Sequence, residues 1–116
     1  MKLNSVDAYL ETLEPDLKDW MLYALDYATR RYPSYPLVFS YQRPMIKIKP
    51  KLFLMFGGGK HHFSIYTTDF DYVETFKLRK IKGITFGKSA ILFPLGKMEY
   101  RSLVEQVIDE VVKRAT

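Results

Sequence analysis

The sequence of 116 residues contains no cysteine. This absence excludes disulfide bonds, zinc–thiolate sites, iron–sulfur ligation and a cysteine nucleophile. The chain also lacks a run of about 20 apolar residues, which a membrane-spanning helix needs, and its first residues contain no apolar signal segment. We therefore predict a cytoplasmic protein without a membrane partner.

Complete catalytic signatures are also absent. Residues 83–89 are similar to a phosphate-binding loop, but three residues rather than four separate the glycines, and a strand rather than a helix is predicted after Lys88. His61 and His62 are neighbours in a predicted strand, so they point to opposite faces and cannot easily share a metal ion. Ser64 has no evident base, and no metalloprotease or nucleophile-elbow motif occurs. We therefore expect a non-enzymatic binding domain.

The composition is that of a folded protein. Apolar residues make up 47% of the chain and aromatic residues 16%, which is far from the polar, aromatic-poor balance of disordered chains. The length suits one hydrophobic core and is too short for two. We predict that residues 1–116 form a single domain.

The net charge of +5 is distributed unevenly along the chain. Residues 1–36 carry four basic and six acidic side chains, residues 37–97 carry eleven and three, and residues 98–116 carry three and four. The basic middle segment predicts either a surface that attracts anionic partners or a solvated surface that keeps the protein soluble.

Apolar residues at helical spacing predict helices at both ends of the chain. Ser5 is placed to cap a short first helix, and Pro15 suits the first turn of a second helix that ends near Tyr32. The clearest helical pattern covers residues 100–112. Helices therefore flank the basic segment on both sides.

Within the basic segment the apolar period changes to about two, which is typical of strands. Gly57, Gly58 and Gly59 suit a hairpin turn, and Asp69 is placed to cap a short helix that ends near Phe76. The pattern predicts five strands, at residues 37–41, 45–49, 51–56, 61–66 and 90–93. The expected fold is an α+β domain with an antiparallel sheet.

The fourth predicted strand has one apolar and one polar face. Alternation places Phe63 and Ile65 on one side and His62, Ser64 and Tyr66 on the other. We expect the polar side to face away from the helices or into a cleft.

A basic, aromatic patch is predicted on the sheet. Its lysines recur at every second position, although Pro50 argues against one uninterrupted strand there. The patch consists of Tyr41, Arg43, Lys47, Lys49, Lys51, Lys60 and Lys88. One interpretation is a ligand site, in which the cations bind a phosphate or carboxylate and an aromatic side chain stacks on a ring of the ligand. The other interpretation is a solvated surface without a ligand. Because the sequence has no helix-turn-helix or RNA-recognition signature, binding of nucleic acid would be mainly electrostatic.

Four segments, taken in order, resemble the YdhG-like family, known as domain of unknown function 1801. They are residues 5–10, 40–44, 60–66 and 88–95, and the resemblance extends over nearly the whole chain. It implies a frataxin-like two-layer sandwich, in which the N- and C-terminal helices pack on one face of an antiparallel sheet. It also implies a bacterial cytosolic protein, and some members of the family are described as iron chaperones.

The resemblance implies two sets of site residues and departs from the family at Gln42, where the family often has glycine. The recurrent polar positions correspond to Tyr41, Lys60, His62, Tyr66 and Lys88. Frataxin-type iron binding uses exposed helical carboxylates, because iron ions prefer oxygen ligands; the candidates here are Asp7, Glu11, Glu14, Asp16 and Asp19. The resemblance thus implies iron delivery, and the alternative is a binding module for an anionic small ligand or nucleic acid. The sequence predicts no oligomeric state.

Overall fold

The computed structural model of the protein describes residues 5–116. The helices in this part of the chain are α1 (Val6–Glu11), α2 (Pro15–Arg31), α3 (Phe70–Lys77) and α4 (Arg101–Ala115), and a 3-10 turn (Met98–Tyr100) precedes α4. The strands are β1 (Leu37–Ser40), β2 (Arg43–Lys49), β3 (Leu52–Gly58), β4 (His62–Thr67), β5 (Thr85–Phe86) and β6 (Ala90–Pro94).

The strands form one antiparallel sheet in the order β1-β2-β3-β4-β6-β5. Apolar side chains of α2, α3 and α4 join one face of this sheet in a single buried cluster. The predicted α+β architecture, with helices packed on an antiparallel sheet, is therefore confirmed.

Trp20 of α2 joins the helices to the centre of the sheet. Its ring lies 5.8 Å from the ring of Phe63 and 6.2 Å from that of Phe93, measured between centroids. The indole Nε1 donates a hydrogen bond of 3.1 Å to the carbonyl of Leu95. The indole thus buries its apolar surface and still satisfies its donor, as buried tryptophans usually do.

Two helix starts agree with the predicted caps. The Ser5 hydroxyl accepts a 3.1 Å hydrogen bond from the Ala8 amide, and an Asp69 carboxylate oxygen accepts one of 3.1 Å from the Tyr72 amide. Asp69 also accepts a 2.7 Å hydrogen bond from Nε of Arg114. That bond is the main reason why the pKa of Asp69 lies below its usual value. One carboxylate therefore starts α3 and ties it to the end of α4.

The glycine run differs from its prediction as a hairpin turn. Gly57 and Gly58 continue β3, and only Gly59 belongs to the turn into β4. A Cβ atom at Gly58 would lie 2.4 Å from the carbonyl oxygen of His62. Close approach of two strands, and not only freedom to turn, therefore requires glycine here.

Other elements also differ from their predicted bounds. Strand β2 begins at Arg43 rather than at Met45, and its Pro44 precedes the pairing of β2 with β3, which starts at Met45. Tyr100 lies in the 3-10 turn, so α4 begins one residue later. The two-residue strand β5 was missed, because two residues cannot show a period of two.

A polar seam joins α2 to α4 at the protein surface. The hydroxyls of Tyr27 and Tyr32 donate hydrogen bonds of 2.6 and 2.5 Å to the two carboxylate oxygens of Asp109. One turn earlier Tyr23 donates to Glu105. Burial, assisted by the bond to Asp109, raises the pKa of Tyr27 and Tyr32 to about 12. Both phenols thus stay protonated donors at neutral pH.

We predict that Asp109→Ala lowers the free energy of unfolding by about 2 kcal/mol, because it removes a charged acceptor shared by two phenols. The matched control is Asp26→Ala, which removes another helical aspartate whose ion pair with Arg30 is exposed. That control should change the free energy by less than about 0.5 kcal/mol. Urea denaturation at neutral pH measures both, and equal losses would contradict a special role for Asp109.

Candidate functional site

Acidic side chains are restricted to the helical layer, which carries basic side chains as well. Between Asp26 and Asp69 the sequence has seven basic residues and no acidic one, and between Glu74 and Glu99 it has six basic residues and no acidic one. Every acidic side chain of the described residues lies in a helix or 3-10 turn or at a helix cap. The strands and their turns therefore form an acid-free layer, which favours anionic partners.

The outer face of the sheet is the face directed away from the helices. Cross-strand pairing places Met45, Met55, Tyr66 and Ala90 in one row and Gly57, Ser64 and Leu92 in the next, and the Arg43 side chain lies over Gly57. Met45 is only 2% exposed and Ser64 only 4%, although neither belongs to the buried cluster beneath the helices. The outer face thus encloses side chains of its own.

Arg43 lies flat on this outer face. Its guanidinium carbon is 5.3 Å from the centre of the Tyr66 ring. A Cβ atom at Gly57 would lie 2.7 Å from Nε of Arg43 and 3.3 Å from the Tyr66 ring. The absence of a side chain at Gly57 is therefore what permits this stacked arrangement. We call the surface formed by Arg43, Gly57, Ser64 and Tyr66, where the Arg43 side chain occupies the space over Gly57, the Arg43 notch.

The guanidinium of Arg43 has no carboxylate partner within 4.0 Å among residues 5–116. Its positive charge still acts on its surroundings: burial raises the pKa of Tyr9, and Arg43 opposes that rise. A guanidinium that is stacked on a ring and lacks a carboxylate keeps its donors available for a planar anion.

The polar residues of β4 border the same notch. Phe63 and Ile65 belong to the buried cluster, while His62 and Tyr66 are half-buried on the outer face, so the predicted alternation is present. Ser64 pairs directly with Gly57. Tyr66, and the buried Ser64 beside Gly57, are therefore the β4 residues next to the cation contributed by β2.

The other predicted ligand residues are spread along the sheet. Tyr41 lies in the β1–β2 turn and Lys60 in the β3–β4 turn, and both turns are at the end of the sheet where His62 begins β4. Lys88 lies in the β5–β6 turn, at the opposite end. There it borders a hollow of 570 Å³ together with Phe70, Glu74, Lys77, Phe86 and Gly87. Lys88 does not share a pocket with Tyr41 and Lys60.

The predicted row of lysines is also divided. Lys47 is exposed in β2, but Nζ of Lys49 donates a 3.2 Å hydrogen bond to the carbonyl of Ala115 in α4. Lys51 follows the end of β2 and has a φ of 68°. All three lysines nevertheless border one hollow of 390 Å³ at the β2–β3 turn, in which Lys49 is already hydrogen-bonded to α4.

The predicted iron ligands are not gathered into a centre. All five side chains are exposed on α1, on α2 or at the residue between these helices, namely Asp7, Glu11, Glu14, Asp16 and Asp19. Within residues 5–116 no group of three or more His, Cys, Asp or Glu side chains is placed to hold a metal ion. In the same part of the chain no helix is long and apolar enough to cross a membrane.

Comparison with known proteins identifies the fold. No family model matches the chain, and no curated protein matches it. A crystal structure of YdhG from Bacillus subtilis, a protein of the DUF1801 family, superimposes with a TM-score of 0.72. The match covers 96% of this chain and 91% of that chain. This chain has the DUF1801 fold. The sequences are 18% identical, so the likeness concerns the DUF1801 fold and leaves the ligand open.

Tyr41 has an unfavourable backbone conformation on this DUF1801 fold. Its φ is 53°, in the left-handed region that glycine and asparagine adopt most readily, and its side chain is 73% exposed. An exposed ring gains little from packing that would offset this strain. Such strain often accompanies function, and the ring of Tyr41 is therefore a candidate ligand contact.

We predict that Tyr41→Asn raises the free energy of unfolding by about 0.5–1 kcal/mol, because asparagine tolerates this φ better. The same variant should bind anions more weakly than the wild type. Lys80→Asn is the matched control, since Lys80 has a φ of 51° outside the sheet. It should stabilise similarly without weakening binding. Thermal denaturation and anion titration test the pair, and a Tyr41 variant that is more stable but binds equally well would remove Tyr41 from the site.

Proposed function

We propose that this protein is a non-enzymatic binding module for a small organic anion, which it holds at the Arg43 notch. The observation that carries the proposal is a half-buried guanidinium stacked on Tyr66, without a carboxylate partner among the described residues. Its setting is a layer of strands and turns that contains no acidic residue. Carboxylates and phosphates are the ligands that such a fork of donors recognises.

Each side chain at the notch has a defined role in the proposal. Arg43 donates in bidentate fashion to the anion, and the hydroxyl of Tyr66 is a neutral donor beside it. His62 lies further along β4 and adds a donor toward the end of the sheet where Tyr41 and Lys60 lie. This set contains donors but no activated nucleophile, which supports binding rather than turnover.

We predict that Arg43→Ala weakens binding of citrate and inorganic phosphate by about 10- to 100-fold, the loss that follows removal of a charge-assisted hydrogen bond. Arg43→Lys should bind with intermediate affinity, because lysine keeps the charge and loses the fork. The control is Arg30→Ala, which removes an exposed arginine from α2 in the helical layer. Calorimetry and amide chemical-shift mapping measure all three.

Two results would overturn the small-anion proposal. One is a wild-type protein that binds neither anion, and the other is an Arg43→Ala variant that binds both as well as Arg30→Ala does. Binding restricted to an oligonucleotide, with a loss of about a thousandfold between 50 and 200 mM salt, would instead assign the face to nucleic acid.

Iron delivery, which the resemblance implies, remains a hypothesis that rests on the exposed carboxylates of α1 and α2. If it holds, charge reversal at Glu11, Glu14 and Asp19 should reduce uptake of ferrous or ferric iron, because these side chains supply its oxygen ligands. Reversal at Glu74, Glu99 and Glu110, which are exposed outside α1 and α2, is a control with the same charge change. Calorimetry that shows no uptake, or equal uptake by both triple variants, would reject the hypothesis.

A further inference from the structure

Strand β1 forms one edge of the sheet and pairs only with β2. Ser40 pairs with Arg43 and Val38 with Met45, and the amide of Lys47 donates a 3.4 Å hydrogen bond to the carbonyl of Pro36. In an antiparallel pair, residues alternate between pointing their backbone groups at the partner strand and away from it. The N–H and C=O groups of Leu37 and Phe39 therefore point away from β2.

Those outward groups have no backbone partner among residues 5–116. In this part of the chain, the N–H and C=O groups of Leu37 and Phe39 form no backbone hydrogen bond with any turn, loop or helix cap. The opposite edge, β5, has only two residues, which leaves little to pair with. The open edge of β1 is thus the longer of the two edges of the sheet.

The segment around β1 lacks the charges that usually protect an edge strand. Residues 32–42 contain no charged residue, whereas 27% of the whole chain is charged. Natural edges are commonly protected by lysine, by an inward-pointing charge or by proline in the strand. Pro36 comes directly before the strand. Its carbonyl faces β2, where it accepts a hydrogen bond from the Lys47 amide, so the missing N–H of Pro36 is not one of the outward groups of the edge. Leu37 is 36% exposed at this edge.

We propose that β1 is a self-association edge, at which two copies of this chain pair antiparallel about a two-fold axis through Val38. Leu37 of each copy exchanges backbone hydrogen bonds with the partner's Phe39, and the two sheets become continuous. After the two-fold rotation, each outward N–H of one copy faces an outward C=O of the other. A closed dimer requires an edge that is complementary to itself in this way.

The charge of the molecule also favours a second copy at this edge. Two copies with a net charge of +5 repel each other over most orientations. An uncharged segment is where they approach with the least repulsion. Salt should therefore strengthen the dimer by screening the remaining charges. This inference is independent of the Arg43 notch, since neither depends on the other's residues.

Sedimentation velocity over about a hundredfold range of protein concentration tests the association directly, because a dimer of this kind follows mass action. The wild type should shift from monomer to dimer, and more completely at high salt. Leu37→Pro removes an outward N–H without removing a bond to β2 and should remain monomeric. Leu37→Lys, which places a charge at the edge, should do the same if the proline variant fails to fold.

Leu22→Lys is the matched control, because it makes the same substitution at an exposed leucine of α2, 44% accessible. It should associate as the wild type does. Amide hydrogen exchange adds a site-specific measurement: the amides of Leu37 and Phe39 should gain protection as the concentration rises. A wild type that stays monomeric throughout, or a dimer that Leu37→Lys leaves intact, would overturn the proposal.

Discussion

Burial of one face of the sheet beneath α2, α3 and α4 is the constraint on which the rest of the structure depends. Trp20 packs on Phe63 and Phe93 at its centre. Because side chains alternate along a strand, burying Phe63 and Ile65 against the helices places His62, Ser64 and Tyr66 on the opposite face. The position of these polar side chains on the outer face is therefore a direct consequence of core formation.

The restriction of acidic side chains to the helical layer gives that outer face its chemical character. Acidic side chains on the helices favour helix starts, as Asp69 does for α3, or accept hydrogen bonds, as Asp109 does from two phenols. None of them is within 4.0 Å of Arg43 among residues 5–116. Leaving the Arg43 guanidinium without a carboxylate partner costs little free energy, because the ring of Tyr66 offsets part of the free energy lost on its dehydration. The same cation is then available to a ligand.

Local sequence patterns predicted much of the fold and only part of the site. Ser5 and Asp69 were identified as caps because a cap depends on residues within one turn. His62 and Tyr66 were assigned to one face because a strand has a period of two. Arg43, in contrast, was left outside the predicted strands, and its stacking on Tyr66 over Gly57 brings together three strands. No local pattern carries that information, and the 18% identity to a protein with the DUF1801 fold does not supply it either.

The sequence by itself determined the helices, most of the strands, the absence of cysteine chemistry and the basic character of the middle segment, because each follows from composition or from neighbours along the chain. Only the tertiary structure decided that Lys88 lies at the opposite end of the sheet from Lys60, and that Lys49 is held by the end of α4. Strand order and register set these positions. Strand order and register depend on contacts between residues far apart in sequence, and local periodicity does not predict those contacts.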